Sequence, residues 1–190
     1  SVVALIVSSP IMLIEALAIK LEDGGPVFFK QPRVTKDGAI FQVLKFRTMI
    51  VDADKNKKRL ASQDDDRITK VGRIVRKLRI DELPQFINIL KGEMSVVGPR
   101  PEQAEITEKY VEDLPEFRYR LKVKAGLTGL AQILGKYNTT PKDKLILDLI
   151  YIEQYSIWVD LKLMLQTVKV LFKSDSTEGV IGELPIDLEK

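Results

Sequence analysis

The sequence predicts an α+β fold: a small β-hairpin or short sheet with surrounding amphipathic helices, behind an apolar N-terminal helix. Three observations carry that expectation. Asp37-Gly38 separates two runs rich in β-formers, a strong hairpin signal. Apolar residues recur at helical spacing from Ile68 to Leu78, and apolar residues fill most sides of a helix from Trp158 to Phe172. An uncharged run also opens the chain, from Ser1 to Ile14. With 45% of its 190 residues hydrophobic, the chain has enough apolar side chains for a buried core.

The first element covers residues 1–22. Its uncharged run is shorter than the roughly 20 residues a spanning helix needs, and Glu15 and Lys20 follow it. Pro10 has no backbone donor, so a bend is expected beside it. A buried core helix, the end of a truncated spanning helix, and a kinked segment that enters one leaflet and returns all fit this stretch by itself.

Strands are expected over 26–30 and 39–46, joined by Thr35 to Gly38. Residues 50–66 read as a polar loop. Ile68, Val71, Ile74, Val75 and Leu78 then mark one helical face. That helix carries Arg67, Lys70, Arg73, Arg76, Lys77 and Arg79 with no acid among them. Asp81-Glu82-Leu83-Pro84 opens another helix, since proline is tolerated in a first turn, and Gly92 closes it.

Met94 to Val97 reads as a short strand, stopped by Gly98-Pro99-Arg100-Pro101. Residues 102–124 look helical and then basic, and Gly126, Gly129 and Gly135 punctuate a loop-rich stretch. Thr140-Pro141 starts a helix that Leu145, Leu149 and Ile152 continue on one face. The final apolar helix is either deeply buried or lies at a bilayer surface. No repeat or clean linker divides residues 23–173, which read as one domain, and 174–190 read as a polar tail.

Composition excludes several chemistries. There is no Cys and no His, which removes disulfides, thiol catalysis, imidazole bases and most zinc sites. Chemistry must come from carboxylates, hydroxyls, Lys, Arg or an oxygen-bound metal such as Mg²⁺. A net charge of +3 is too mild to indicate nucleic acid, and none is expected as a partner. Neither a P-loop nor a Rossmann glycine pattern occurs.

Three clusters can carry chemistry. Asp81-Glu82, at a helix start below Arg76 and Arg79, suits phosphate chemistry: one carboxylate attacks phosphorus while the other holds Mg²⁺. A plain N-cap followed by a solvated acid fits the same pair. Pro99 and Pro101 confine Arg100, so its planar fork loses little freedom in gripping phosphate, although a turn with a solvent-facing Arg fits too. Strand alternation puts Lys45 and Arg47 on one face, which suits a diphosphate or a lysine-protected strand edge.

In this order, the pieces resemble the bacterial sugar transferase family, the monotopic polyprenyl-phosphate phosphoglycosyl transferases that initiate exopolysaccharide or O-antigen assembly. The matching segments are Ser9-Pro10, Gly25-Pro26-Val27-Phe28-Phe29, Lys45-Phe46-Arg47-Thr48-Met49 and Asp81-Glu82-Leu83-Pro84-Gln85 with Asn88. Lys91-Gly92, Met94-Ser95, Val97-Gly98-Pro99-Arg100-Pro101 and Gly126-Leu127-Thr128-Gly129 with Ala131-Gln132 follow. Asp148, Tyr151, Ser156 and Asp160 complete the series, so the likeness runs over about residues 5–172. The chain departs from the common pattern at Ala125, Leu130 and Lys136-Tyr137.

The resemblance implies a transfer of sugar-1-phosphate from a UDP-sugar, such as UDP-galactose or UDP-glucose, to polyprenyl phosphate, with release of UMP. Asp81 is similar to the family's nucleophile, which forms an aspartyl-phosphosugar, and Glu82, with Asp81, to its Mg²⁺ site. Lys45, Arg76, Arg100 and Asp160 match positions tied to substrate phosphate or site organisation. Thr128 lies in a stretch similar to the region beside the nucleotide pocket. Ser9-Pro10 matches the break of a re-entrant helix that dips into one leaflet. By this resemblance the protein works at the cytoplasmic face of the bacterial inner membrane, among membrane lipids, with a homodimer left open. The rival from another class is a non-catalytic module using the basic helix at 67–79 on a membrane surface or nucleic acid.

Overall fold

The computed structural model describes residues 1–53, 65–135 and 139–171. They divide into two compact units. The first holds Ser1–Gln31 and Val43–Leu90, and the second holds Pro32–Gln42 with the residues from Lys91 onward. The expected tail at 174–190 and most of the expected loop at 50–66 lie outside the described residues.

Helix α1, Val2–Asp23, dominates the first unit. It continues through Pro10. Proline cannot donate to the carbonyl of Ile6, one turn back, but the Ser9 hydroxyl donates to that oxygen at 2.8 Å. Most of α1 is exposed, with Val3, Ile6, Val7, Ile14 and Leu21 among the bare apolar residues. Ser8, Glu15 and Ile19 form its buried side, and α1 packs on helices α2, Lys70–Lys77, and α3, Gln85–Leu90.

The hairpin strands are β1, Phe28–Val34, and β2, Ile40–Phe46, which make a two-stranded sheet. The first strand extends four residues past its expected end. The turn is a short 3₁₀ segment, Lys36–Gly38, in which Asp37 and Gly38 take positive φ, the conformation that the Asp-Gly pair favours. Helix α2 begins at Thr69, whose side chain accepts from the Gly72 N–H at 3.0 Å. Its packing corrects the expected apolar face: Val75 is buried, but Ile74 and Leu78 are 64% and 57% exposed.

The second unit is built around strands β3, Ser95–Val97, and β4, Gly126–Thr128, paired in parallel with Ser95 opposite Gly126 and Val97 opposite Thr128. The sequence reads β4 as loop because its glycine disguises it. A Cβ on Gly126 would lie 2.1 Å from the Gly98 backbone nitrogen, so glycine is there for close backbone approach. Helix α4 covers Ala104–Asp113, and a 3₁₀ stretch, Pro115–Lys122, replaces the rest of the expected 102–124 helix. Helices α5, Leu130–Leu134, α6, Pro141–Glu153, and α7, Ile157–Leu171, complete the unit. Thr140 caps α6 with a reciprocal capping box to Asp143, as Thr-Pro promised. Val97, Leu130, Ile133, Tyr151 and Leu163 form the core.

Candidate functional site

In the first unit, several hydrogen bonds bring the end of β2, α2 and the segment after α2 together. Arg79 takes a left-handed conformation (φ 54°) that ends α2 and turns the chain into a 3₁₀ segment, Ile80–Glu82. Asp81 and Glu82 therefore sit in a tight turn before α3 and not at the N-terminus of an α-helix, as the sequence predicts. The helix-dipole argument for the pair falls away; neighbouring cations face it instead.

Those cations are Lys45 and Arg76. Lys45 Nζ donates to Glu82 Oε1 at 2.9 Å, and both side chains are largely buried. Arg76 is half-buried and feels the charge of Asp81. Its Nε donates to Thr48 Oγ1 at 2.7 Å, which aims the guanidinium. The Leu44 N–H donates to Asn88 Oδ1 at 3.0 Å, tying β2 to α3 beside this cluster. A Cβ on Gly72 would lie 2.1 Å from the Thr48 carbonyl oxygen, so the missing side chain lets α2 lie on the end of β2 and carry Arg76 to Thr48.

Arg47, expected beside Lys45 as a substrate cation, is committed elsewhere. It is buried, its Nη1 donates to Asp23 Oδ2 at 2.7 Å, its Nη2 donates to the other Asp23 oxygen, and its Nε donates to the Pro26 carbonyl at 2.7 Å. It ties the end of α1 to β2. The Asp23 carboxyl is held below its ordinary range, chiefly by the hydrogen bond from Arg47.

Glu15 is the residue that sequence reasoning passed over. It reads there merely as the charge ending an apolar run. In the structure it is 5% exposed, and neither carboxyl oxygen has a hydrogen-bond partner. Burial pushes its carboxyl up to about 8, and the charge of Asp81 adds to the shift. A bare buried acid beside Asp81 fits a nearby hard cation, which would satisfy it. Among the described residues no three acids gather closely enough for an all-protein metal cage. That suits Mg²⁺, which usually takes one or two carboxylates and fills its remaining positions with water and substrate phosphate.

In the second unit, the remaining expected residues have well-defined surroundings. Arg120 Nη2 donates to the Arg100 carbonyl at 2.9 Å, and its Nε donates to Asp148 Oδ2 at 2.7 Å. Arg33 Nη1 donates to the Pro101 carbonyl at 2.9 Å. Two guanidinium groups thus brace the backbone of Arg100 and Pro101. Arg120 is itself buried. Asp160 accepts from the Tyr151 hydroxyl at 2.9 Å, and burial, opposed by that bond, pushes its carboxyl up. Thr128 Oγ1 lies 2.6 Å from Thr167 Oγ1, and Thr167 donates to the Leu163 carbonyl, so Thr128 is the donor of the pair. Its hydroxyl therefore ties β4 to α7.

The structure thus gathers Asp81, Glu82, Lys45 and Arg76 in the first unit, while Arg100, Thr128 and Asp160 belong to the second. Known proteins match this chain along most of its length. A family model described as bacterial sugar transferase covers residues 1–174. A UDP-N-acetylgalactosamine-undecaprenyl-phosphate N-acetylgalactosaminephosphotransferase of Aeromonas hydrophila is 41% identical, over 90% of this chain and 41% of its own length. A UDP-glucose:undecaprenyl-phosphate glucose-1-phosphate transferase of Caulobacter vibrioides is 44% identical, over 88% of this chain and 65% of its own. An undecaprenyl-phosphate galactose phosphotransferase of Salmonella typhimurium is 35% identical, over 92% of this chain and 39% of its own. The chain therefore corresponds to less than two thirds of each of these relatives. With the family model spanning every described residue, the chain belongs to the bacterial sugar transferase family.

Proposed function

We propose that this protein transfers sugar-1-phosphate from a UDP-sugar to polyprenyl phosphate at a membrane surface, through a covalent intermediate on Asp81. The observation that carries this reading is the paired-acid turn at Asp81-Glu82 with Lys45 and Arg76 against it, in the same unit as the apolar α1. The activities of the relatives, which differ in their sugar but share undecaprenyl phosphate, support it.

The chemistry follows from the charges. An Asp81 carboxylate oxygen attacks the sugar-bearing phosphorus of the diphosphate. The bond from that phosphorus to the bridging oxygen breaks, and UMP leaves with the bonding electrons. A phosphate oxygen of polyprenyl phosphate then attacks the same phosphorus, the Asp81 ester bond breaks, and the carboxylate returns. Both attacking groups are already anions, so a chain without His needs no imidazole base.

Arg76, aimed by Thr48, faces the negative charge that builds on the phosphoryl oxygens, and its fork suits them bidentately. Lys45 pairs with the Glu82 carboxylate and fixes its position. A divalent cation such as Mg²⁺, when bound by Glu82 and Asp81, supplies Lewis-acid charge to the diphosphate. The exposed apolar surface of α1 provides a membrane attachment, which a lipid-borne acceptor requires. Placement at the cytoplasmic face of the bacterial inner membrane, and α1 as a re-entrant segment, belong to this reading.

The test is the released nucleotide. Purified protein given UDP-sugar, Mg²⁺ and polyprenyl phosphate releases UMP, and Asp81→Asn abolishes both turnover and capture of labelled sugar on the protein. Release of UDP, or substantial turnover by Asp81→Asn, would overturn the covalent route. A panel of UDP-sugars identifies the donor.

A further inference from the structure

Helix α1 carries one acid, Glu15, within its apolar stretch. Glu15 lies between exposed apolar neighbours, Leu13 and Ile14 before it and Leu17 after it, yet its own side chain is turned inward and buried. Both carboxyl oxygens lie out of solvent with no hydrogen-bond partner. A buried acid normally has a cation or a donor, because the loss of hydration is otherwise uncompensated.

The charges around it show what is missing. Glu82 has Lys45, in a direct ion pair, and Asp81 has the field of Arg76. Glu15 has no such partner, and the charge it feels is the like charge of Asp81. Of the three acids, Glu15 is the most deeply buried. A hydrated divalent cation would bring positive charge and water donors to it while also serving a diphosphate.

We propose that Glu15 is a water-mediated ligand of the divalent cation held at Asp81-Glu82, reaching it from α1 through a coordinated water. This rests on the reading of Asp81-Glu82 as the cation site and adds a residue from the membrane-attached helix to it. The lack of a three-acid cage among the described residues excludes direct ligation by all three, and a hexahydrate-derived ion has waters to offer a more distant carboxylate. Such outer ligands orient the inner ones, and their loss typically costs about tenfold or more in metal affinity. The inference also gives α1 a part in the chemistry: seating of the helix and loading of the cation become coupled.

Mn²⁺ is the probe, because its free concentration is read directly by electron paramagnetic resonance. The full chain in detergent, with UMP present, is titrated with Mn²⁺ as wild type, Glu15→Gln, Glu15→Met and Glu82→Gln. Glu15→Gln and Glu15→Met are expected to weaken Mn²⁺ binding about tenfold. Glu15→Met removes the bare carboxyl and packs apolar atoms in its place, so it keeps or raises the melting temperature without metal, while the metal-induced rise shrinks. Unchanged Mn²⁺ affinity and an unchanged metal-induced rise in the folded Glu15→Met protein would overturn the proposal. Failure of the underlying reading looks different: Glu82→Gln would then bind Mn²⁺ as wild type does.

Discussion

Lys45 and Glu82 meet at 2.9 Å with both side chains mostly out of water, so removing either charge leaves the other poorly compensated. Lys45→Met is expected to lower kcat by about 100-fold, the usual effect of deleting one preorganised charge from a site. UMP release under saturating UDP-sugar measures it, and a loss confined to KM would assign Lys45 to binding alone. Asp23 and Arg47 present a second residue-scale case, one of stability. Arg47 holds the Asp23 carboxyl below its ordinary range. A carboxylate depressed on folding contributes its full stabilisation above the unfolded value and loses it as pH falls through the folded one. Asp23→Asn should therefore lower the melting temperature at neutral pH, with the gap to wild type closing as the medium is acidified below pH ~4. A gap independent of pH would mean that the pair contributes through shape and not charge.

Elements, and not single side chains, place Arg76. Helix α2 starts on the Thr69 cap and receives a second cap from α1, whose Glu22 Oε1 accepts from the Lys70 and Val71 N–H groups at 2.7 and 3.3 Å. It then lies on the end of β2 because Gly72 has no side chain where the Thr48 carbonyl stands. Gly72→Ala would push the helix off that carbonyl, at about 1–3 kcal/mol, the range for overpacking a filled site. Because Arg76 is one turn further along, the Thr48–Arg76 hydrogen bond should weaken with it. The expected signature is a lower denaturant midpoint together with reduced kcat, and full activity in a destabilised protein would separate the helix seat from the site. The same helix explains why its apolar positions misled the pattern reading. A face of Val71, Ile74, Val75 and Leu78 is wide enough to be shared, and only Val75 among them is buried against protein.

Among the described residues, the first unit exposes apolar side chains over most of α1 and at Ile74 and Leu78 on α2, the latter among the exposed Lys70, Arg73 and Lys77. That combination suits a bilayer with anionic headgroups, near which each basic residue contributes about 1 kcal/mol. Replacing Lys70, Arg73 and Lys77 by Gln should weaken flotation with phosphatidylglycerol-containing vesicles and leave binding to phosphatidylcholine vesicles nearly unchanged. Equal loss on both would assign the three side chains to folding. Salt should weaken the wild-type interaction in the same direction as the substitutions.

At this scale, local signals and long-range partnerships divide cleanly. The hairpin at Asp37-Gly38, the capped start of α6 at Thr140-Pro141 and the paired acids at Asp81-Glu82 are legible because each depends on φ preference, capping or adjacency within a few residues. The motif order resembling the family is legible for the same reason: it is a property of the string. Strand β4 was hidden because a glycine that permits close backbone approach looks, by composition, like a glycine that makes a loop. Arg47 and Arg120 were hidden because a cation's role depends on which acid meets it, and Asp23 and Asp148 lie 24 and 28 positions away. The linear chain thus determined the local geometry and the stock of reactive groups, including the absence of His and Cys. Tertiary structure alone decided which acids received a cation and which, like Glu15, were buried without one, since burial and charge pairing are set by segments far apart in the chain.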